Sequence, residues 1–201
     1  MSRLVHRHDF ANAESYDRHA RRLFRGVYRR VAEDVGAAAP TGGTVLDAGC
    51  GSGRLAIEIA GRRPDVRVHG IDLEPRMVEV ATRHAERANV TDRVEFTAAD
   101  LGELPFPDDS VDMIVSTASL HHWADVGTVI ASLDRVLRPE GRMWIYDIRW
   151  VSAGDVRTAS VGLDRRVERV LVRTGWFPVA LFQRLAVEPA SAGSSHGAFP
   201  G

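Results

Sequence analysis

Residues 45–53 read VLDAGCGSG, an apolar strand that runs into three glycines at every second position. A side chain at Gly49, Gly51 or Gly53 would hold a ligand away from the backbone, so this is a loop made for close approach. The nicotinamide and flavin fingerprint is G-x-G-x-x-G, with pyrophosphate received at a helix N-terminus. Here the pattern is G-x-G-x-G, and the sixth position is Arg54. A bulky residue where helix and strand must pack closely argues against pyrophosphate. Asp47, at the strand end before the loop, repels phosphate and suits a ligand that carries an ammonium group.

A second carboxylate, Asp72 in GIDLEP (residues 70–75), lies 23 residues beyond Gly49. A carboxylate at a strand end can accept from both ribose hydroxyls, in adenosine ligands and NAD alike. It can also cap the helix that follows. Asp100, in Ala99-Asp100-Leu101, can accept from an adenine amino group with Leu101 flanking the ring, or close an Asx turn. Residues 112–123, DMIVSTASLHHW, bring Ser116 and the tandem His121-His122 to the same side. One imidazole, His121 in preference, can remove a proton from an acceptor or orient it; the pair can equally start a helix with one ring buried. Residues 137–147, LRPEGRMWIYD, form a helix stop, a turn and a strand. Cys50 fills the space between two loop glycines, with no neighbouring cation to make it a thiolate. Trp123, Trp150, Trp176 and Phe177 can line an aromatic pocket or belong to core and interface.

The elements that must position these residues follow from hydrophobic period. Strands are expected at 44–48, 66–71, 94–97, 111–116 and 142–148, and helices at 53–62, 75–88 and 126–137. Pro75 opens the second of these helices, and Pro139 and Gly141 stop the third. This order implies an α/β fold, a doubly wound, mostly parallel sheet with helices on both faces, whose ligands bind beyond the carboxyl ends of the strands. Residues 16–38 carry Ala20, Phe24, Val27, Val31 and Val35 at helical spacing and form an N-terminal helical cap. Beyond Asp147, residues 161–174 are expected as a helix ended by Gly175, and 177–187 as one late strand. The Gly/Ser/Ala/Pro-rich residues 188–201 read as a flexible tail. The expected organisation is a cap over 1–40, a ligand-binding domain over 41–187 and a tail over 188–201.

These five motifs, in this order, resemble the class I S-adenosylmethionine-dependent methyltransferases, and among them the small-molecule group of ubiquinone/menaquinone C-methyltransferases and natural-product methyltransferases. The resemblance covers residues 43–148. It implies a Rossmann-like fold that binds S-adenosyl-L-methionine and releases S-adenosyl-L-homocysteine. Asp47, Gly49, Gly51 and Gly53 would line the methionine part, Asp72 would hold the ribose, and Leu73 would touch the adenine. Asp100 and Leu101 would frame the adenine, and Ser116 would sit beside the methionine end. Tyr16 matches a position that closes over the cofactor. The family finishes its sheet with two antiparallel strands, of which one is legible here.

Composition narrows the rest. The 201 residues suffice for one α/β domain. The single cysteine excludes an internal disulfide and a thiolate metal cluster. Eight histidines without ligand spacing make a protein-built metal site unexpected. All 26 basic residues are arginine, which excludes lysine Schiff-base chemistry and a Walker A lysine. Net charge is −1, so no global field draws the chain to nucleic acid or an anionic membrane. No run is long enough for a membrane span and no secretory h-region opens the chain, so a cytoplasmic protein is expected. The expected partner is a small, partly apolar methyl acceptor, with a homodimer as a further option. An NAD-dependent oxidoreductase and a non-catalytic cofactor-fold partner protein are the rival readings.

Overall fold

The apolar runs in the middle of the chain become strands of one seven-stranded sheet in the computed structural model, which describes residues 13–173 and 181–190. The strands are β1 (Thr44–Ala48), β2 (Arg67–Asp72), β3 (Val94–Ala98), β4 (Val111–Thr117), β5 (Leu137–Ile148), β6 (Arg165–Val172) and β7 (Phe182–Pro189). Their order is β3-β2-β1-β4-β5-β7-β6. The first five are mutually parallel, and β7 runs antiparallel to both neighbours. The chain leaves β1 toward β2 on one side and returns to β4 on the other. That switch point leaves a crevice at the carboxyl end of β1, where ligands of open α/β sheets bind.

Five α-helices cover the sheet: α1 (Ala13–Ala38), α2 (Arg54–Arg62), α3 (Pro75–Ala88), α4 (Val126–Val136) and α5 (Ala153–Ala159). Alternation along each strand sends side chains into two cores. Val45, Val68, Val115, Trp144 and Tyr146 meet α1, α2 and α3 on one face. Leu46, Ile71, Ile114, Ile145 and Leu185 meet α4 and α5 on the other. The helix ends are chemically closed. Glu74 caps α3 by accepting from the Arg76 amide, with Pro75 in the first turn, and Asp125 caps α4 by accepting from the Thr128 amide. The last carbonyls of α1 are met from outside, by the Arg63 guanidinium on Gly36, Ala39 and Pro40.

The middle of the chain follows its sequence pattern closely, except that β5 begins five residues early, at Leu137. The C-terminal third does not. Residues 165–172 are strand β6, not part of a helix, and this strand forms an antiparallel pair with β7, the one strand that runs against the other six. Leu163, Val167, Val170 and Leu171 satisfy a helical period. Eight backbone pairs with β7 outweigh it, and that long-range pairing is invisible in a local window. The short helix α5, capped by Ser152, lies where no element is expected. β7 runs two residues into the expected tail. Gly175, Trp176, Phe177 and residues 191–201 lie outside the described residues, as does the side chain of Tyr16. No helix among the described residues is long and apolar enough to cross a membrane.

The cap helix is pinned to the sheet by a buried polar contact. The Tyr146 hydroxyl, on a fully buried side chain, donates to Asp34 at 3.0 Å. Tyr146→Phe is expected to cost about 1–3 kcal/mol, because a hydrogen bond to a charged acceptor is lost and Asp34 is left underpaired. Thermal melting should show a fall of roughly 3–10 °C with the sheet's near-ultraviolet signature retained below the transition.

Candidate active site

β1 ends at Ala48, and the next five residues must turn sharply into α2. Gly49, Gly51 and Gly53 all take positive φ, the left-handed region that only glycine enters cheaply. The loop is held from below: the amides of Gly49 and Cys50 both donate to the Ile71 carbonyl, at 2.8 and 2.9 Å. Gly53 is also required by packing, since a Cβ there would strike the Phe96 ring and Ala81. Arg54, the first residue of α2, points away from the crevice to the His84 ring, whose other nitrogen reaches the Ser52 carbonyl at 2.9 Å.

Asp72 closes the loop from the side. One oxygen accepts from the Gly51 amide at 2.7 Å and the other from the Glu74 amide at 3.0 Å. Burial pushes its carboxyl above the ordinary range, and the two amides pull it back. The capping role falls to Glu74, so Asp72 stands beside the loop with lone pairs left for ligand hydroxyls. Leu73 follows with most of its surface exposed. Asp100 stands just past β3, and its side chain closes a turn on the Gly102 amide at 2.8 Å. Leu101 points into the core formed with α4 rather than outward.

Asp47 is almost wholly buried, and its Oδ2 has no hydrogen-bond partner. Desolvation pushes its carboxyl up to about 7; an Ala56 amide bond opposes this and nearby Asp72 adds to it. Ser116 Oγ and Thr117 Oγ1, at the end of β4, are likewise buried without partners. Buried polar atoms are costly unless something pairs with them. An orphaned carboxylate oxygen beside left-handed glycine backbone fits a ligand with an ammonium group. Asp72 fits that ligand's sugar hydroxyls.

After Thr117 the chain reverses through Ala118, held at a φ of 54° by its amide bond to the Tyr146 carbonyl. Ser119 then lies against Gly49, accepting from the Trp123 indole at 3.0 Å. A 3-10 turn, Leu120–His122, sets the two imidazoles side by side, with ring centroids 4.0 Å apart. His122 lies near enough to Asp72 for its charge to act there. His121 Nδ1 is 3.1 Å from both oxygens of Asp147, a buried carboxylate at the end of β5. That carboxylate raises the His121 pKa above the ordinary imidazole value, while partial burial opposes the shift. Asp147 is the site residue that sequence reasoning missed. The signal was present, since Asp147 ends a strand as Asp47 and Asp72 do, but only the sheet order shows that β5 lies next to β4. Among the described residues no cluster of histidine, cysteine and carboxylates could hold a metal.

A family model described as a methyltransferase domain matches residues 40–172. The chain belongs to this family. It carries a methyltransferase domain. It is 43% identical over 129 residues to 27-O-demethylrifamycin SV methyltransferase of Amycolatopsis mediterranei, which covers 64% of this chain and 45% of that one. It is 33% identical over 163 residues to malonyl-[acyl-carrier protein] O-methyltransferase of Halorhodospira halophila, covering 76% and 54%. The methyltransferase domain thus spans about half the length of these relatives. A solved structure from Methanococcus maripaludis, assigned to the S-adenosyl-L-methionine-dependent methyltransferases, shares the fold with a TM-score of 0.78 at 23% identity. It covers 94% of this chain and 97% of that one.

Within this domain, Asp47 generates a prediction about protons. A folded-state pKa near 7, against 3.8 ordinarily, means that the ligand-free protein is favoured by neutral Asp47. That stability is fully present below about pH 4 and is lost as pH rises through 7. An ammonium placed against Oδ2 reverses the preference and ionises the carboxyl. Between pH 5 and 6, binding of S-adenosylhomocysteine should therefore release close to one proton, falling to about half a proton at pH 7, and affinity should rise with pH up to about tenfold per unit over the lower range. Calorimetry in buffers of different ionisation enthalpy measures this, and Asp47→Asn should abolish the proton release.

Proposed function

We propose that this domain transfers a methyl group from S-adenosylmethionine to a hydroxyl oxygen of a small, partly apolar acceptor, with His121 as the general base. The observation that carries this reading is the His121–Asp147 pair, set one strand away from the glycine loop. The names of the relatives that act on oxygen, the rifamycin and malonyl-carrier methyltransferases, support the choice of oxygen.

The cofactor supplies an electrophilic methyl group on a sulfonium, so the protein needs no nucleophile of its own. The chain's residues bind, orient and move one proton. Asp47 would pair the ammonium, the glycine loop would admit the methionine backbone, and Asp72 would hold the ribose. Asp100 and Leu73 would meet the adenine, and Ser116 would sit beside the methionine end. With Nδ1 donating to Asp147, the His121 proton is fixed on that nitrogen and Nε2 keeps its lone pair. The His121 side chain is 38% exposed, so a bound acceptor can reach it. Nε2 would take the acceptor's hydroxyl proton when the cofactor supplies its methyl group, and Asp147 would stabilise the imidazolium that results. His122, whose ring packs beside His121 and whose charge reaches Asp72, would lie between the acceptor and cofactor sides. Ile148, Trp150 and Leu181, all exposed apolar residues around the end of β5, would face the acceptor's apolar body.

Three ligands test the cofactor. In parallel melts, S-adenosylhomocysteine or S-adenosylmethionine at a hundredfold its dissociation constant adds about 2.7 kcal/mol, a rise on the order of 5–10 °C. A shift with NAD instead would overturn the assignment. His121→Ala should slow S-adenosylhomocysteine formation from a panel of phenols and enols by about 10²–10⁴-fold, with S-adenosylhomocysteine affinity unchanged. Because the base acts in its neutral form, the acid limb of the wild-type rate should lie above the ordinary histidine value of 6.5. Asp147→Asn should move that limb down. Full activity of His121→Ala across pH would leave the histidine a structural part.

A further inference from the structure

The chain that leaves β5 carries Ile148, Arg149, Trp150 and Val151 past the His121–Asp147 pair, and it has little regular structure of its own. Three of its carbonyls are held by two side chains from the last two strands. Gln183 is fully buried on β7 and sits directly opposite Asp147 in the strand register. Its amide nitrogen donates to the carbonyls of Val151 at 2.7 Å and Ile148 at 3.4 Å. Its carbonyl oxygen accepts from Arg169 Nε at 2.5 Å, and Arg169 Nη2 donates to the Arg149 carbonyl at 3.0 Å. The Ile148 amide in turn donates to Asp147 Oδ1 at 2.8 Å, the same oxygen that faces His121.

We infer that Gln183 and Arg169 are positioning residues of the acceptor side: together they clamp the segment after β5 and so orient the Asp147 carboxylate toward His121. The inference rests on the proposed role of His121 but has its own observable. A buried primary amide with both donors and its acceptor engaged has one rotamer and one orientation, set by a guanidinium that cannot lose its charge. The β5 pleat alone does not decide where Asp147's oxygens point, because a carboxylate's last torsion is broad. The Ile148 amide decides it, and the clamp fixes that amide. The same segment carries Trp150, 70% exposed with the Arg149 guanidinium over its ring. The charged and titratable groups near His121 are Asp147 from β5 and the neighbouring ring of His122, with Asp72 beyond His122.

The test follows His121 itself. Proton–carbon correlation spectra of the imidazoles, with His121 assigned by its loss in His121→Gln, give its titration midpoint without any acceptor. Gln183→Met keeps the volume and removes the polar grip. The His121 midpoint is expected to fall by half a unit or more toward the ordinary value, while the midpoints of His69 and His84 stay put. S-adenosylhomocysteine affinity should remain within twofold of wild type. Arg169→Met, at an exposed position that spares the core, should shift His121 in the same direction, and Arg169→Lys should restore part of the shift. An unchanged His121 midpoint in Gln183→Met and Arg169→Met would overturn the clamp, as would an equal loss of S-adenosylhomocysteine affinity. If Gln183→Met does not fold, the arginine pair decides alone. Because no turnover is measured, failure of the clamp is distinguishable from failure of His121 as base, which only His121→Ala kinetics reports.

Discussion

The bond from the Gly51 amide to Asp72, at 2.7 Å, is the contact on which the rest of the site depends. It ties the loop after β1 to the end of β2, so the position of the glycine loop is set by the neighbouring strand. Two amides donating to Ile71 complete the tie. With the loop anchored there, α2 starts in one place, Gly53 fits under Phe96 and Ala81, and the crevice at the switch point keeps its shape. The same carboxylate that organises the protein keeps acceptor capacity toward a ligand. A carboxylate suits both tasks because it offers about four lone-pair sites on two oxygens.

Three buried or half-buried carboxylates stand at the ends of β1, β2 and β5, and their surroundings separate their roles. Asp47 is enclosed and leaves an oxygen unpaired, so it prefers to be neutral until a cation arrives. Asp72 is satisfied by amides. Asp147 is buried but faces an imidazole, which it makes more basic. Environment, rather than residue type, separates the three, and under the proposed function it would make them ammonium partner, hydroxyl acceptor and orienting group.

The last third of the chain gives the acceptor side its form. β6 and β7 extend the sheet past β5; Gln183 lies level with Asp147, and Arg169 reaches Gln183 from β6. In this short domain the segment after β5 holds only one helix of seven residues, so side chains from the sheet's edge do the holding.

Much of the crevice beside β1 was legible in the sequence, because its parts are local. Gly49, Gly51 and Gly53 follow a strand at fixed spacing, and Asp72 and Asp100 end strands whose period is plain; the parallel order β1 to β5 follows from alternating strand and helix patterns. Asp47 announced an unusual charge through its place between an apolar strand and a glycine loop. The sequence by itself could not show that residues 165–172 form a strand, since a helical period and a strand fit those residues equally and a partner twenty residues away decides. It favoured His121 of the two histidines but could not show its partner. His121 gains that partner only because the reversal at Ala118 and the order β4-β5 bring it to Asp147, 26 residues on. Leu101 looked like a ring contact and packs in the core, because the turn after β3 points it toward α4. Local chemistry determined which residue types meet the cofactor; the pairing of distant strands decided which of them meet each other.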